Sequence, residues 1–160
     1  MPVQIRVPMT PNGKTKLVEE LSKLKTAERL KIVAEIETAR SHGDLSENAE
    51  YHAAKERQGQ LEARIRFLED QLSRAEVIDP SRMDPSRVIF GMTVRLYDPS
   101  ADKELSYRIV GELEADLGKG YISVNSPIAK ALIGKNVGDV VEAQVPGGRR
   151  ELEIIGIKVD

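Results

Sequence analysis

The chain has 160 residues, with 24 Lys and Arg against 26 Asp and Glu, and a net charge of −2. Proteins that bind nucleic acid unaided show a strong basic excess, because phosphate neutralisation dominates their affinity, so this class is disfavoured. There are no Cys residues, which excludes disulfides and thiol catalysis and fits a reducing cytoplasm. Neither a signal peptide nor a membrane span of ~20 apolar residues is predicted, and a small-molecule substrate is not expected.

Composition changes sharply near Ile78. Lys, Glu, Leu, Ala, Arg and Gln dominate before it, whereas Gly, Val, Ile, Pro and Tyr are frequent after it. The boundary contains two Asp-Pro-Ser triplets, and Pro at this density ends helices. We therefore predict two domains, at residues 1–79 and 88–160, joined by a linker at 80–87.

The first domain begins with a helix-start pattern. Thr10 can cap a helix through its hydroxyl, and Pro11 occupies the first helical position, where the missing N–H costs nothing. The apolar positions then slip in register around 26–28, and Gly43 is a suitable residue to end the helix. The apolar positions are Leu17, Leu21, Leu24, Leu30, Ile32, Val33, Ile36 and Ala39.

A second helix is predicted from about Leu45 to Ala75. Its apolar positions alternate spacings of four and three with one polar interruption, which is typical of a coiled coil. The seam consists of Ala54, Gln58, Leu61, Ile65, Leu68, Leu72 and Ala75. Two helices with a short connection fold back antiparallel, each roughly 45 Å long for about 30 residues. A spacer, a dimerisation element and a probe that reaches into a partner all fit this pattern.

The second domain is predicted to be an α+β domain with a small antiparallel sheet and one short helix. The predicted strands are 93–96, 107–110, 121–124, 140–145 and 151–157. Ser126 caps the short helix, Pro127 takes its first position, and Gly134 follows its end.

Two carboxylates between the long helices are the main candidates for chemistry. Asp44 and Glu47 are three residues apart, so at a helix start they share a face and can jointly hold a hard cation such as Mg²⁺. The same spacing matches a capping box with Asp44 in the capping role. Spacing alone leaves both interpretations open.

Other residues near the turn carry weaker signals. Arg40 and Lys55 can contact phosphate or be ordinary solvated surface, and Tyr51 can stack on a base or pack against the opposite helix. His42 and His52 lack a third ligand at a familiar spacing, which argues against zinc. The helix entry at Asn125, Ser126 and Pro127 (residues 125–127) is explained by capping alone.

Residues 43–51, GDLSENAEY, followed by His52-Ala53-Ala54-Lys55-Glu56, resemble the signature of bacterial GreA/GreB transcript cleavage factors. Matches continue along nearly the whole chain. They include Pro8-Met9-Thr10 with Gly13, Arg87–Gly91, Tyr107–Gly111, Ile122–Ala129 and Pro146-Gly147-Gly148. Chain length and the absence of a basic excess are closer to GreA than to GreB.

The resemblance implies an N-terminal antiparallel coiled coil and a C-terminal FKBP-like domain. It also implies that the coiled-coil tip enters the secondary channel of bacterial RNA polymerase. There Asp44 and Glu47 would be the catalytic acids that bind a second Mg²⁺, shared with the polymerase and not held stably by the free chain. The polymerase, rather than this chain, would hydrolyse the 3′ portion of backtracked nascent RNA.

Further roles carry over residue by residue. Asn48 and Tyr51 would support the tip, and Arg40 and Lys55 would help to position RNA. Residues Asn125, Ser126 and Pro127 resemble the region that docks on the polymerase. Two alternatives remain: a channel-binding regulator that does not stimulate cleavage, and a prolyl isomerase, which the few aromatic residues after Val88 disfavour.

Overall fold

The computed structural model describes residues 5–44 and 48–159. The chain forms two compact units: a hairpin unit, Met1–Arg6 with Lys14–Ala75, and a sheet unit, Val7–Gly13 with Glu76–Asp160. The predicted domain limits at 79 and 88 stay a prediction. Among the described residues, no helix is both long and apolar enough to span a membrane.

The hairpin unit is built from one interrupted helix and one continuous helix. The first consists of α1 (Pro11–Lys23), a π-helical turn (Leu24–Glu28) and α2 (Arg29–Arg40), and the second is α3 (Ala49–Ser73). The π turn contains the predicted register slip, because a turn that bonds i to i+5 shifts the apolar stripe around the helix. Helix α3 begins four residues later than the sequence predicts.

The predicted seam of α3 packs inward along its length. Ala54, Ile65 and Leu68 are buried, and the remaining seam positions are partly buried. On the facing helix the buried positions are Leu17, Ile32, Ile36 and Ala39. Leu30 and Val33, predicted apolar positions, are exposed at 73% and 47% of their surface. They lie off the stripe that Ile32, Ile36 and Ala39 form at spacings of four and three.

Ion pairs join the two arms of the hairpin along its exposed edges. The Arg29 guanidinium donates to both oxygens of Glu62 at 2.9 Å, Arg57 donates to Glu35 at 3.0 Å, and Arg64 donates to Glu20 at 3.0 Å. The hydrogen bonds between Arg29 and Glu62 are the main cause of a raised Arg29 pKa and a lowered Glu62 pKa. Exposed ion pairs contribute little to the free energy of unfolding. We therefore infer that these pairs mainly fix which residues of the two arms lie opposite each other.

The sheet unit contains a five-stranded sheet with the order β5-β4-β3-β7-β6. These strands are β3 (Thr93–Asp98), β4 (Lys103–Val110), β5 (Tyr121–Ser123), β6 (Val140–Val145) and β7 (Gly148–Lys158). The first four predicted strands begin within four residues of the observed starts of β3, β4, β5 and β6. The last predicted strand, 151–157, lies within β7. The sheet is mixed rather than purely antiparallel, because β5 pairs parallel to β4.

Helix α4 (Pro127–Leu132) contributes Ala129 and Leu132 to the core of the sheet unit. Both side chains are fully buried and pack with Val94, Leu96 and Ile154 of the central strands. Two short strands, β1 (Val7–Met9) and β2 (Ala75–Val77), form a separate two-stranded sheet that the sequence analysis did not predict.

Residues 10–13, which include the first turn of α1, belong to the sheet unit and bond to Glu114 of that same unit. Glu114 accepts hydrogen bonds from the Thr10 amide at 3.1 Å, from the Thr10 hydroxyl, and from the Gly111 amide at 3.0 Å. The Thr10 hydroxyl in turn accepts from the Gly13 amide at 3.0 Å, which confirms the predicted cap. The Glu114 carboxyl occupies the space that a side chain at position 13 would need. A Cβ built on Gly13 would lie 2.1 Å from the Glu114 Cδ.

We expect Gly13→Ala to lower the free energy of unfolding by about 1–3 kcal/mol. The added methyl displaces the Glu114 carboxylate, so the amides of Thr10 and Gly111 lose a charged acceptor. Gly59→Ala is the matched control, since it also adds one methyl to a helix but has open space around it. Urea unfolding should show that Gly59→Ala is neutral or stabilising. Equal stability of Gly13→Ala and the parent chain would contradict this account.

Candidate functional site at the end of the hairpin

The hairpin connection, residues 41–48, begins where α2 ends at Arg40. The amides of Ser41, His42 and Gly43 donate to carbonyls of the last turn of α2, which satisfies the end of the helix. Gly43 has φ +111, a conformation that side-chain-bearing residues rarely adopt. Asp44 follows directly and is exposed. Glu47, with Leu45 and Ser46, lies outside the described residues.

Asn48 caps α3 and ties it to the other arm. Its side-chain oxygen accepts from the Tyr51 amide at 3.0 Å, and its side-chain amide donates to the Ala39 carbonyl at 2.5 Å. One orientation of the Asn48 side-chain amide satisfies both bonds, because one bond uses its oxygen and the other uses its nitrogen. Asn48 therefore caps the start of α3 and also hydrogen-bonds to the last turn of α2.

The helix predicted from about Leu45 begins at Ala49 and is capped by Asn48, not by Asp44. The predicted capping box of Asp44 and Glu47 stays a prediction, because Glu47 lies outside the described residues. Asp44 thus precedes α3 by several residues, and the expectation that it shares a helical face with Glu47 stays a prediction. Asn48, rather than Asp44, therefore fixes the start of α3.

Aromatic and basic side chains surround the start of α3. The Arg40 guanidinium lies 6.0 Å from the centroid of the Tyr51 ring, a distance at which cations are attracted to aromatic faces. The His52 ring meets Tyr51 edge-on, with 5.7 Å between centroids. The structure therefore brings together Arg40, Asn48 and Tyr51. Lys55 lies one turn further on, where its ammonium donates to Gln58 at 3.1 Å.

One contact in this region was not anticipated from the sequence. His42 Nε2 lies 3.7 Å from a Glu50 carboxylate oxygen, so the pair bridges the two sides of the connection. The signal was present as a His and a Glu that flank the turn. From the sequence, His42 is a candidate only as a zinc ligand. Among the described residues, no group of three His, Asp or Glu side chains is placed to hold a metal ion.

The second predicted region lies in the sheet unit. Ser126 accepts from the Ala129 amide at 3.2 Å and Pro127 is the first residue of α4, which confirms the predicted cap. The Asn125 side chain donates to Glu112 at 3.2 Å. Asn125 and Pro127 are exposed beside this cap, and a docking role for these residues stays a prediction.

Comparison with known proteins identifies the family. Residues 7–77 match the family described as transcription elongation factor, N-terminal, and residues 83–159 match transcription elongation factor, GreA/GreB, C-term. The chain therefore belongs to the GreA/GreB family of transcription elongation factors.

Two GreA proteins agree with this assignment at the level of sequence. The chain is 55% identical over 154 residues to the transcription elongation factor GreA of Alkalilimnicola ehrlichii, covering 96% of this chain and 98% of that protein. It is 57% identical over 149 residues to GreA of an Anaeromyxobacter species, covering 93% and 90%. A solved structure, the GreA factor homolog 1 (Gfh1) of Thermus thermophilus, is 32% identical with a TM-score of 0.43, covering 96% of this chain and 99% of that chain. At the level of sequence, the chain is a GreA-type elongation factor.

Proposed function

We propose that this chain inserts the end of its hairpin into the secondary channel of bacterial RNA polymerase and stimulates hydrolysis of backtracked nascent RNA. The polymerase performs the reaction and removes the 3′ portion of the transcript. This chain contributes carboxylates and has no hydrolytic activity of its own. The site is thus complete only in the elongation complex.

The position of Asp44 carries the proposal. The residue is exposed just beyond the end of α2, and Asn48 rather than Asp44 caps α3. Helix α3 has 25 residues and is therefore about 37 Å long. A rod of that length can place an acidic group deep inside a narrow channel, which a compact domain cannot do.

The donor chemistry fits Mg²⁺. Magnesium commonly takes one or two protein carboxylates and completes its octahedral shell with waters and substrate phosphates. Asp44 and Glu47 together supply such a pair, which is too few ligands to hold the ion without the polymerase and RNA. When bound, the ion would polarise the scissile phosphate and lower the pKa of the attacking water.

The neighbouring residues have supporting tasks in the proposal. Asn48 fixes the path of the connection by joining Ala39 to the first turn of α3. Arg40, the last residue of α2, and Lys55, near the start of α3, would contribute positive charge that favours the approach of RNA phosphates. Tyr51 presents a ring that already interacts with a cation and can stack on a base. Residues Asn125, Ser126 and Pro127 would dock on the polymerase surface.

The test uses elongation complexes halted in a backtracked position, with RNA labelled at its 5′ end. We expect addition of the chain with Mg²⁺ to shorten the RNA faster than the polymerase does alone and to restore elongation. The chain without polymerase should leave the same RNA intact, and cleavage there would show that it is an enzyme. Binding to the complex without faster cleavage would overturn the proposal in favour of a channel-binding regulator.

A further inference from the structure

One polar side chain, that of Gln58, interrupts the apolar seam of α3. The seam positions on either side of it are Ala54, which is buried, and Leu61, which is partly buried. Gln58 is itself partly buried. A polar residue at such a position makes a coiled coil less stable than an apolar residue would.

A polar seam residue can fix the register of a coiled coil by bonding to the facing helix. Within the described ranges 5–44 and 48–159, however, the Gln58 side chain has no hydrogen bond to the other arm. The two arms are joined next to it instead, where the Arg57 guanidinium donates to Glu35 at 3.0 Å. Register therefore does not account for the glutamine, and a departure of this kind from the local pattern is typical of functional positions.

The Gln58 side chain is hydrogen-bonded to Lys55 on the same helix. The Lys55 ammonium donates to the Gln58 side-chain oxygen at 3.1 Å. An ammonium has donors but no acceptor, so chemistry fixes the direction of this bond. Residues three apart are neighbours on a helix surface, which brings the two side chains within reach. An apolar residue at position 58 would complete the seam but would offer Lys55 no acceptor.

Lys55 lies on the side of α3 that starts at the hairpin connection. Asn48, Tyr51 and Lys55 follow at spacings of three and four, which places them along one side of the helix. Lys55 is exposed, and its long side chain has many rotamers, whose freedom is lost when the ammonium binds a phosphate. A contact that restrains the side chain beforehand lowers this entropic cost.

We propose that Gln58 is a positioning residue, which holds the Lys55 ammonium where it meets a phosphate of the RNA. This inference rests on the proposed function. The bond to Gln58 uses one of the three ammonium N–H groups, so the other two stay available for phosphate oxygens. Because glutamine is neutral, it restrains the lysine without the negative charge by which a carboxylate would repel the phosphate. The polar residue thus lowers the stability of the seam and preorganises a cation.

Gln58→Leu separates stability from cleavage, since it completes the apolar seam and removes the acceptor. We expect a higher urea midpoint of unfolding, together with a maximal rate of stimulated cleavage about three- to tenfold lower, as for one rotamer-rich side chain left unrestrained. The concentration of this chain that gives half-maximal stimulation should not change, because the residues proposed to dock on the polymerase are untouched. Gln60→Leu, at an exposed position of α3 outside the seam, is the matched control and should retain the parent rate.

A double-mutant cycle shows whether Gln58 acts through Lys55. Lys55→Met removes the ammonium, so in that background Gln58→Leu should cause no further loss of cleavage. In the free chain, ¹³C relaxation of the Lys55 Cε methylene should report greater motion in Gln58→Leu than in the parent. Unchanged motion of Lys55, or an equal loss of cleavage with and without its ammonium, would overturn the proposal.

The same experiments distinguish a failure of this inference from a failure of the proposed function. If the parent chain does not stimulate cleavage, the proposed function is wrong, and so is the task given to Lys55. If the parent stimulates cleavage and Gln58→Leu reaches the same maximal rate, only the positioning role of Gln58 is wrong.

Discussion

Asp44→Asn is expected to lower the rate of stimulated transcript cleavage by about a hundredfold or more, with RNA polymerase affinity nearly unchanged. The amide preserves size and shape but removes the negative charge that would hold Mg²⁺ against water and phosphate ligands. Asp44 is exposed beyond the end of α2 and does not cap α3. The change should therefore leave α3 capped by Asn48. Cleavage rates on halted complexes and competition binding provide the two measurements.

The controls for this prediction use the same chemical change elsewhere. Glu47→Gln should behave like Asp44→Asn, because both carboxylates are proposed to hold one ion. Glu19→Gln neutralises an exposed carboxylate of α1, distant in sequence from the connection, and should retain full cleavage. If Asp44→Asn and Glu47→Gln both cleave at the parent rate, donation of metal ligands by this chain is wrong.

Asn48→Ala is expected to produce the second largest effect, through geometry rather than charge. It removes the cap of α3, worth about 0.5–2 kcal/mol, and also the bond to the Ala39 carbonyl on the other arm. The connection then loses the residue that fixes its path, so Asp44 is no longer held in position. We expect cleavage to fall by roughly tenfold, and amide hydrogen exchange at Tyr51 to accelerate by a similar factor.

Asn48→Asp separates the two tasks of this residue. Asp is an equally good cap, so the Tyr51 amide should remain protected. A carboxylate accepts but does not donate, so the bond to the Ala39 carbonyl is lost. We expect cleavage between that of the parent and that of Asn48→Ala. Ser126→Ala removes a cap in the sheet unit and should not change exchange at Tyr51. Parent-level cleavage by Asn48→Ala would contradict a positioning role.

The helices and strands of this chain were largely predictable because their signals are local. Thr10 before Pro11 marks the start of α1, and alternating spacings of four and three mark the seam of α3. The break in the first helix was also visible in the sequence as a slip in register, because a π turn shifts every later apolar residue around the helix axis. The exposure of Leu30 and Val33 follows from the same shift.

The details of the connection were not predictable from local signals. Asp44 and Asn48 are both favourable capping residues, and intrinsic preference does not choose between them. The choice depends on the Ala39 carbonyl, which only the folded hairpin brings within reach of Asn48. The strands β1 and β2 were missed because they pair only with each other, from positions distant in sequence, and no local pattern records that pairing. The parallel pairing of β5 depends on contacts distant in sequence.

The most direct test of the central claim is the Mg²⁺ concentration that gives half-maximal stimulated cleavage, compared between the parent chain and Asp44→Asn. If Asp44 helps to hold the ion, the variant should require at least about tenfold more Mg²⁺, since one ionised ligand has been lost. Polymerase binding, measured in the same titration, should not change. An identical Mg²⁺ dependence and maximal rate for both proteins would contradict the account.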